Sequence, residues 1–357
     1  MLGGRVSGVV DSVAHLAAAE GWPVEVVHPA QTVARRPPRT VGADHPAFER
    51  LLTWEHPPAF RALIPSARIA GADPLVFTRD RRALLESTFD RYQLDRHEAM
   101  RRRLGPTRRR RGRHLALVGP WSHNHYHWFL DLLPRLALLP VAEEPDAPVV
   151  VPASVSALQR QSLELAGIDA GRLVRAPGPL RGLRPELLVD ELWFPSMTGR
   201  STGNPPAWVV DWLRDRLAPD APTGRRRRRL YVSRADAGSR RVADEERVAA
   251  LLSEHGFEPI LPGALPLEEQ LARFAEAEAV VGAHGAGLVG LFAARDATVI
   301  ELFSPEYVNG CYYAMSDAAG HDYWYLVGAP ATGGDVVVDL DALERTLAAA
   351  GLAAGAG

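Results

Sequence analysis

The chain has 357 residues, 46% hydrophobic and 24% charged, enough for two domains and outside the range of disordered, collagen-like or small stapled proteins. Its 41 basic and 43 acidic residues give a net charge of −2, which argues against a general nucleic-acid binder. A single cysteine, Cys311, excludes an intrachain disulfide and a Cys-rich zinc module, and the complete lack of lysine removes Schiff-base and P-loop lysine chemistry.

The apolar stretch near the N-terminus is broken by Asp11, His15 and Glu20 and lacks a signal-peptide pattern, and no 18-residue apolar window predicts a membrane span. A cytoplasmic protein is expected, either free or peripheral at the inner membrane face. Residues 21–74 are rich in Pro, Arg and His, and 31–46 in particular read as loop. Short strands are expected at 67–70 and 74–78. The segment 101–113 carries eight arginines and reads as a solvated loop or helix face, or as a contact for an anionic partner.

From His114 the pattern alternates: strands at 114–119, 148–151, 173–175 and 188–194, helices at 123–139, 155–166 and 205–217. A basic junction at 218–229 separates this from a cleaner block. There, strands at 230–233, 257–261, 279–282 and 298–303 alternate with helices at 244–255, 266–277 and 286–294, with Gly256 as an αL cap. Such alternation implies parallel sheets covered on both faces. The expected division is an N-terminal α/β domain over 1–217 with an irregular first third, a C-terminal Rossmann-like domain over 218–335, and a helix and tail over 336–357.

Three segments carry chemistry. The first, Ala279 to Gly287, is an apolar strand running into a glycine-rich turn that opens a helix. Glycines let backbone approach a ligand, and helix-start amides attract an anion such as a diphosphate. His284 in that turn can donate to a phosphate or ribose. The spacing is not a dinucleotide fingerprint, and a plain tight turn is the alternative.

The second segment is Tyr231-Val232-Ser233-Arg234 with Arg240-Arg241 and Asp244-Glu245 beyond it. Strand carboxyl ends face the ligand crevice of α/β sheets, so Arg234 suits a diphosphate, and Glu301 at a later strand end suits ribose hydroxyls; a surface ion pair is the alternative for each.

The third is Trp121 to Arg135. His123, His125 and His127 could cluster on a metal only in an extended conformation, which the apolar helix pattern opposes. His127 and Asp131 stand at i and i+4 and share a helix face. Asp131 acts there as a general base, or it orients His127, or the two form a plain polar pair.

Residues 230–302, with Tyr231-Val232-Ser233-Arg234, Arg240-Arg241, Asp244-Glu245, Gly256-Phe257, Gln270, Phe274, Ala277 and the stretch Val280 to Leu288, resemble the family 61 glycosyltransferases, also called capsular polysaccharide biosynthesis proteins. Asn124 to Leu136 resembles a second segment of that family. The resemblance implies a GT-B-like α/β architecture, two Rossmann-like domains facing across a cleft, with 1–217 as the acceptor side and 218–335 as the nucleotide-sugar-binding domain, and an inverting, metal-independent transfer. The donor would be a nucleotide-diphosphate sugar, the acceptor a glycan or lipid-linked hydroxyl in polysaccharide biosynthesis, with no cofactor and no nucleic acid.

Carried over by position, Arg234, Arg241, His284, Gly285, Ala286 and Gly287 would hold the donor, with Glu301 on the ribose. Asp131, with His127 beside it, would deprotonate the acceptor; Asn124, Ser233 and Glu245 are further candidates. Two departures stand out: Asp244 where the family usually has Asn, and His125 where Tyr is common. The alternative is a catalytically inactive nucleotide-sugar-binding scaffold of a glycan assembly complex.

Overall fold

The computed structural model describes residues 4–101, 103–178, 184–218 and 228–354. Arg102 and most of the expected 218–229 junction lie outside the described residues. The chain forms two compact units, Met1–Gln31 with Glu55–Thr202, and Thr32–Trp54 with Gly203–Gly357. Relative to the expected division at 217/218, the helix Ala207–Leu217 and the segment 32–54 thus belong with the C-terminal block.

The second unit is built on a five-stranded, wholly parallel sheet in the order Phe257–Ile260, Arg228–Val232, Ala277–Ala283, Thr298–Phe303, Asp322–Val327. Its central strands are near-continuous apolar runs because helices cover the sheet. Helices Glu245–Glu254 and Leu340–Ala349 share one core with it, through Val248, Leu252, Leu343 and Leu347. The expected helix at 286–294 forms as a tight 3₁₀ helix, Ala286–Ala293, packed so closely that a Cβ on Gly290 would overlap the ring of Phe274.

Residues 31–46, expected as loop, contain the strand Gln31–Ala34. Their lack of periodicity has a physical source. Side chains rather than a repeating face hold the segment 32–54: Arg35 donates to the Leu51 carbonyl at 2.6 Å, and Phe48 packs its ring on Tyr325 with centroids 4.6 Å apart.

The first unit departs from the parallel expectation. Arg184–Pro195, Leu104–Ala116, Val149–Val151 and Leu173–Arg175 do run parallel, but Ala59–Pro65, Arg68–Ala70 and Leu75–Phe77 pair antiparallel, giving a mixed sheet. Tight turns rather than crossover helices join the latter strands, and tight turns reverse direction. The basic segment 101–113 is largely strand as well, not loop or helix: Leu104–Ala116 runs through it. Its arginines meet acids on neighbouring elements, Arg109 with Asp190 at 2.8 Å and Arg113 with Glu191 at 3.0 Å and with Glu144. Cross-strand charge pairing therefore accounts for part of the basic run.

Arg135 ties the strand ends together. Fully buried, it donates to the carbonyls of Val118 at 2.6 Å, Pro195 at 2.6 Å and Ser196 at 3.0 Å, at the ends of two adjacent strands. Burial pushes its guanidinium down to about 9, against an opposing pull from Asp131. Arg135→Met would leave three buried carbonyls unpaired, so thermal or denaturant unfolding should show a loss of about 3 kcal/mol or more. The exposed Arg110→Met should stay within about 0.5 kcal/mol of wild type in the same assay.

Candidate active site

In the second unit, three parallel strands deliver their carboxyl ends side by side. Val232 leads into Ser233-Arg234, Ala283 into His284-Gly285, and Phe303 ends the neighbouring strand. His284 Nδ1 lies 2.6 Å from Glu301 Oε1, and Glu301 Oε2 accepts from the Tyr323 hydroxyl. Glu301 is completely buried, opposite Gly282 within its strand rather than at the strand end. Both its oxygens are engaged, which leaves no exposed carboxylate for the expected ribose contact. Burial first, and Glu301 next, push the Tyr323 hydroxyl well above the usual tyrosine range, so it remains a donor. The rings of Phe303, Tyr307 and Tyr312 surround His284 at 5.3–5.5 Å between centroids.

Arg234 lies over Gly285. A Cβ on that glycine would overlap the guanidinium, and its φ of 161° is extended backbone, so close approach rather than backbone freedom is what requires glycine there. Arg234 Nε donates to the Arg240 carbonyl and Nη2 to that of Ser239, both at 3.1 Å. Among the described residues no hydrogen bond engages Nη1, and neither Arg234 nor Arg240 is in a salt bridge. Burial, followed by the charge of Arg240, pulls the Arg234 guanidinium below its ordinary range. Arg240 itself has φ 57° and stands over the ring of Tyr307 at 5.1 Å. A left-handed non-glycine residue costs about 1–3 kcal/mol and marks a constrained site.

The other donor-side expectations separate. Ala286 and Gly287 open the 3₁₀ helix, and Gly287 faces Val232 so closely that a Cβ would meet it at 3.1 Å. Arg241 is taken up by Asp335, its backbone N–H bonding one oxygen at 2.8 Å and its Nη2 the other at 3.0 Å, which fastens the short strand pair Val242–Ala243 with Val336–Val337. Ser233 accepts from the amide of Ala235, and Glu245 accepts from the Tyr231 hydroxyl at 2.9 Å, both local structural bonds. Asp244 has φ 52°, a left-handed conformation that Asn and Asp both tolerate, so the departure from Asn keeps the backbone. Tyr307 and Tyr312 carry no mark in the sequence; the Arg240-Arg241 pair was visible, but not that Asp335 takes Arg241 while Arg240 stands over Tyr307.

In the first unit, the expected helix at 123–139 forms in three gauges: α over His125–His127, π over Trp128–Leu132, 3₁₀ over Leu133–Leu138. Such π turns concentrate at functional sites. Asn124 caps the start, its Oδ1 accepting from the amides of Tyr126 at 2.9 Å and His127 at 3.4 Å. His127 Nδ1 is 2.7 Å from Asp131 Oδ2, and the Thr202 hydroxyl reaches that same oxygen at 2.7 Å. Asp131 is buried, while the His127 side chain keeps 18% exposure. Trp121, with φ 54°, packs its indole on the imidazole at 4.7 Å between centroids. Thr202 and Trp121 complete this site; Thr202 lies 71 residues from Asp131, and no local pattern flags it.

The three histidines do not converge. His123 is exposed near Asp73, His125 lies against Phe129 and His127 on Asp131, and among the described residues no group of three or more His, Cys, Asp or Glu side chains is arranged to hold a metal. Among the described residues no helix is long and apolar enough to cross a membrane.

The chain is a glycosyltransferase: residues 125–300 match a glycosyltransferase family model. The family is Glycosyltransferase 61, and the protein is a family 61 glycosyltransferase. The matched span includes His127, Asp131, Arg234 and His284; Asn124 and Glu301 stand one residue outside its two ends. No curated protein matches the chain.

His125 supplies a pH test. Burial pushes it down to about 4, so the folded state resists its protonation while the unfolded chain binds a proton near pH 6.5. Its contribution to stability is complete above that value and is lost as pH falls toward 4. Melting temperatures measured across this window should fall less steeply for His125→Gln than for wild type.

Proposed function

We propose that the protein is an inverting glycosyltransferase of GT-B-like organisation that moves a sugar from a nucleotide-diphosphate donor to a hydroxyl of a glycan or lipid-linked acceptor in polysaccharide biosynthesis, without a catalytic metal. The observation that carries the donor assignment is the Arg234–Gly285 contact. Two arginines that have no carboxylate partner among the described residues stand beside a turn whose amides open a helix, and their mutual repulsion is relieved by an anion.

As the glycosidic bond breaks, the leaving nucleoside diphosphate gains negative charge. Arg234, Arg240 and the amides after Gly285 stabilise that charge in place, and His284, oriented by Glu301, can donate to it. On the acceptor side the geometry favours His127 Nε2 as the base. With Nδ1–H donated to Asp131, the other nitrogen is the acceptor, and Asp131 holds the tautomer and answers the imidazolium that forms. The acceptor oxygen then bonds the anomeric carbon, the carbon–phosphate oxygen bond breaks, and the proton stays on His127.

His127→Ala should lower kcat by about 10²–10⁴-fold, and Asp131→Asn should lower it comparably with little change in donor affinity. Full transfer activity in His127→Ala combined with inactivity in Asp131→Asn would make Asp131 the base. Calorimetric titration with uridine and guanosine diphosphate should show Arg234→Ala binding about 10–100-fold more weakly. Gly285→Ala, which displaces the same guanidinium, should copy that loss without removing a charge. Tight binding of a sugar nucleotide with neither transfer nor hydrolysis across acceptors would favour the scaffold reading.

A further inference from the structure

The first unit holds a cavity of about 250 Å³ that the chemistry above does not use. It is lined by Tyr92, Gln93 and Arg96 of the helix Arg91–Arg96, by Thr88 and Asp73, and by Trp121. We infer that this cavity is the acceptor subsite and that it takes one neutral pyranose or furanose ring, the terminal sugar of the acceptor. The inference rests on the transferase reading and adds the substrate class and its place.

Size, chemistry and position support it. The volume lies below the range of about 300–1,000 Å³ typical of drug-sized ligands, which suits a single ring rather than an extended chain. Tyr92 offers an aromatic surface to the C–H face of a sugar and Trp121 forms part of the wall, while Gln93, Arg96 and Asp73 offer donors and acceptors for its hydroxyls. The guanidinium of Arg96 lies over the Tyr92 ring at 5.0 Å, Asp73 lines the same space, and burial pulls the His97 imidazole, also in the lining, below its ordinary range, so the cavity has no excess cation to select an anionic ligand. The anion-attracting arginines are in the other unit.

Trp121 connects the cavity to the proposed base. It borders the cavity and packs on His127, in a left-handed conformation that an indole-bearing residue rarely adopts. Phe89 stacks on Trp121 at 6.3 Å, and the Trp121 carbonyl accepts from the Asn124 amide at 2.8 Å. Asp73 bonds the next residue, Ser122, at 3.4 Å, so the cavity wall and the turn before His127 are one construction. Tyr92 is 65% exposed, so truncating it spares the core.

The test is ligand-observed saturation-transfer NMR on the full chain. The probes are methyl glycosides of glucose, galactose, mannose, xylose and N-acetylglucosamine at about 10 mM, with uridine and guanosine diphosphate titrated separately. At least one glycoside should bind the wild type. Tyr92→Ala and Trp121→Ala should each weaken that binding by about ten-fold, with nucleoside diphosphate affinity held within about two-fold. Glycoside binding unchanged in Tyr92→Ala overturns the assignment, as does a wild type that binds a nucleoside diphosphate but no glycoside. A glycoside lost in Tyr92→Ala from a protein that binds no nucleoside diphosphate would uphold the cavity and remove the donor assignment instead.

Discussion

A carboxylate taken wholly out of water must be answered by donors, and in the second unit Glu301 imposes that condition on everything around it. A buried ion without partners costs several kcal/mol, so Tyr323 and His284 cannot turn away from it. The imidazole is thereby fixed in plane and in tautomer, and Phe303 stacks along it at 5.4 Å. Because His284 sits at the bend between strand and helix, fixing its ring fixes where the backbone turns, and hence where Gly285 lies under Arg234. The placement of Gly285 under Arg234 is therefore set by a hydrogen bond inside the sheet.

The first unit uses the same chemical device with different support. His127 and Asp131 pair within one turn of helix, and the π gauge over Trp128–Leu132 shapes the backbone that carries Asp131. Thr202 then returns from the end of the unit to satisfy the carboxylate, and Arg135 places a buried positive charge on the same segment. Removing Arg135 would loosen strand ends and the carboxylate's surroundings together. Both histidines meet a carboxylate through Nδ1, so Nε2 takes no part in either pair.

How much of this the sequence revealed depended on sequence distance. The i, i+4 pair of His127 and Asp131 was legible because helical periodicity alone brings the two together. The parallel sheet of the second unit was legible because buried strands are continuous apolar runs, and the glycine turn because its strand and helix were both plain. The tie between His284 and Glu301 was not, since strand register sets it, and Glu301 read as a strand-end residue when it lies deeper, opposite Gly282. Thr202 and the aromatic shell of Tyr307 and Tyr312 come from segments without periodic marks. Arg241 read as a phosphate ligand because nothing local reveals Asp335, 94 positions away, which claims it.

The lysine-free composition takes on a different meaning once the arginines are placed. Composition alone does not explain why single guanidiniums occupy buried positions with several carbonyls each. Arg135 bonds three carbonyls, and Arg214, also buried, bonds those of Phe292 at 3.2 Å, Ala294 at 2.9 Å and Ala319 at 3.4 Å. A planar fork of five donors can close several strand and helix ends at once, which a lysine ammonium, a point charge on a flexible stem, does less well. Arg234 divides that capacity: two donors go to the backbone carbonyls of Ser239 and Arg240, and the remaining edge lies over Gly285. Its charge is thus held in position before any ligand arrives, and a site whose cation needs no reorganisation is the kind that stabilises charge developing in a transition state.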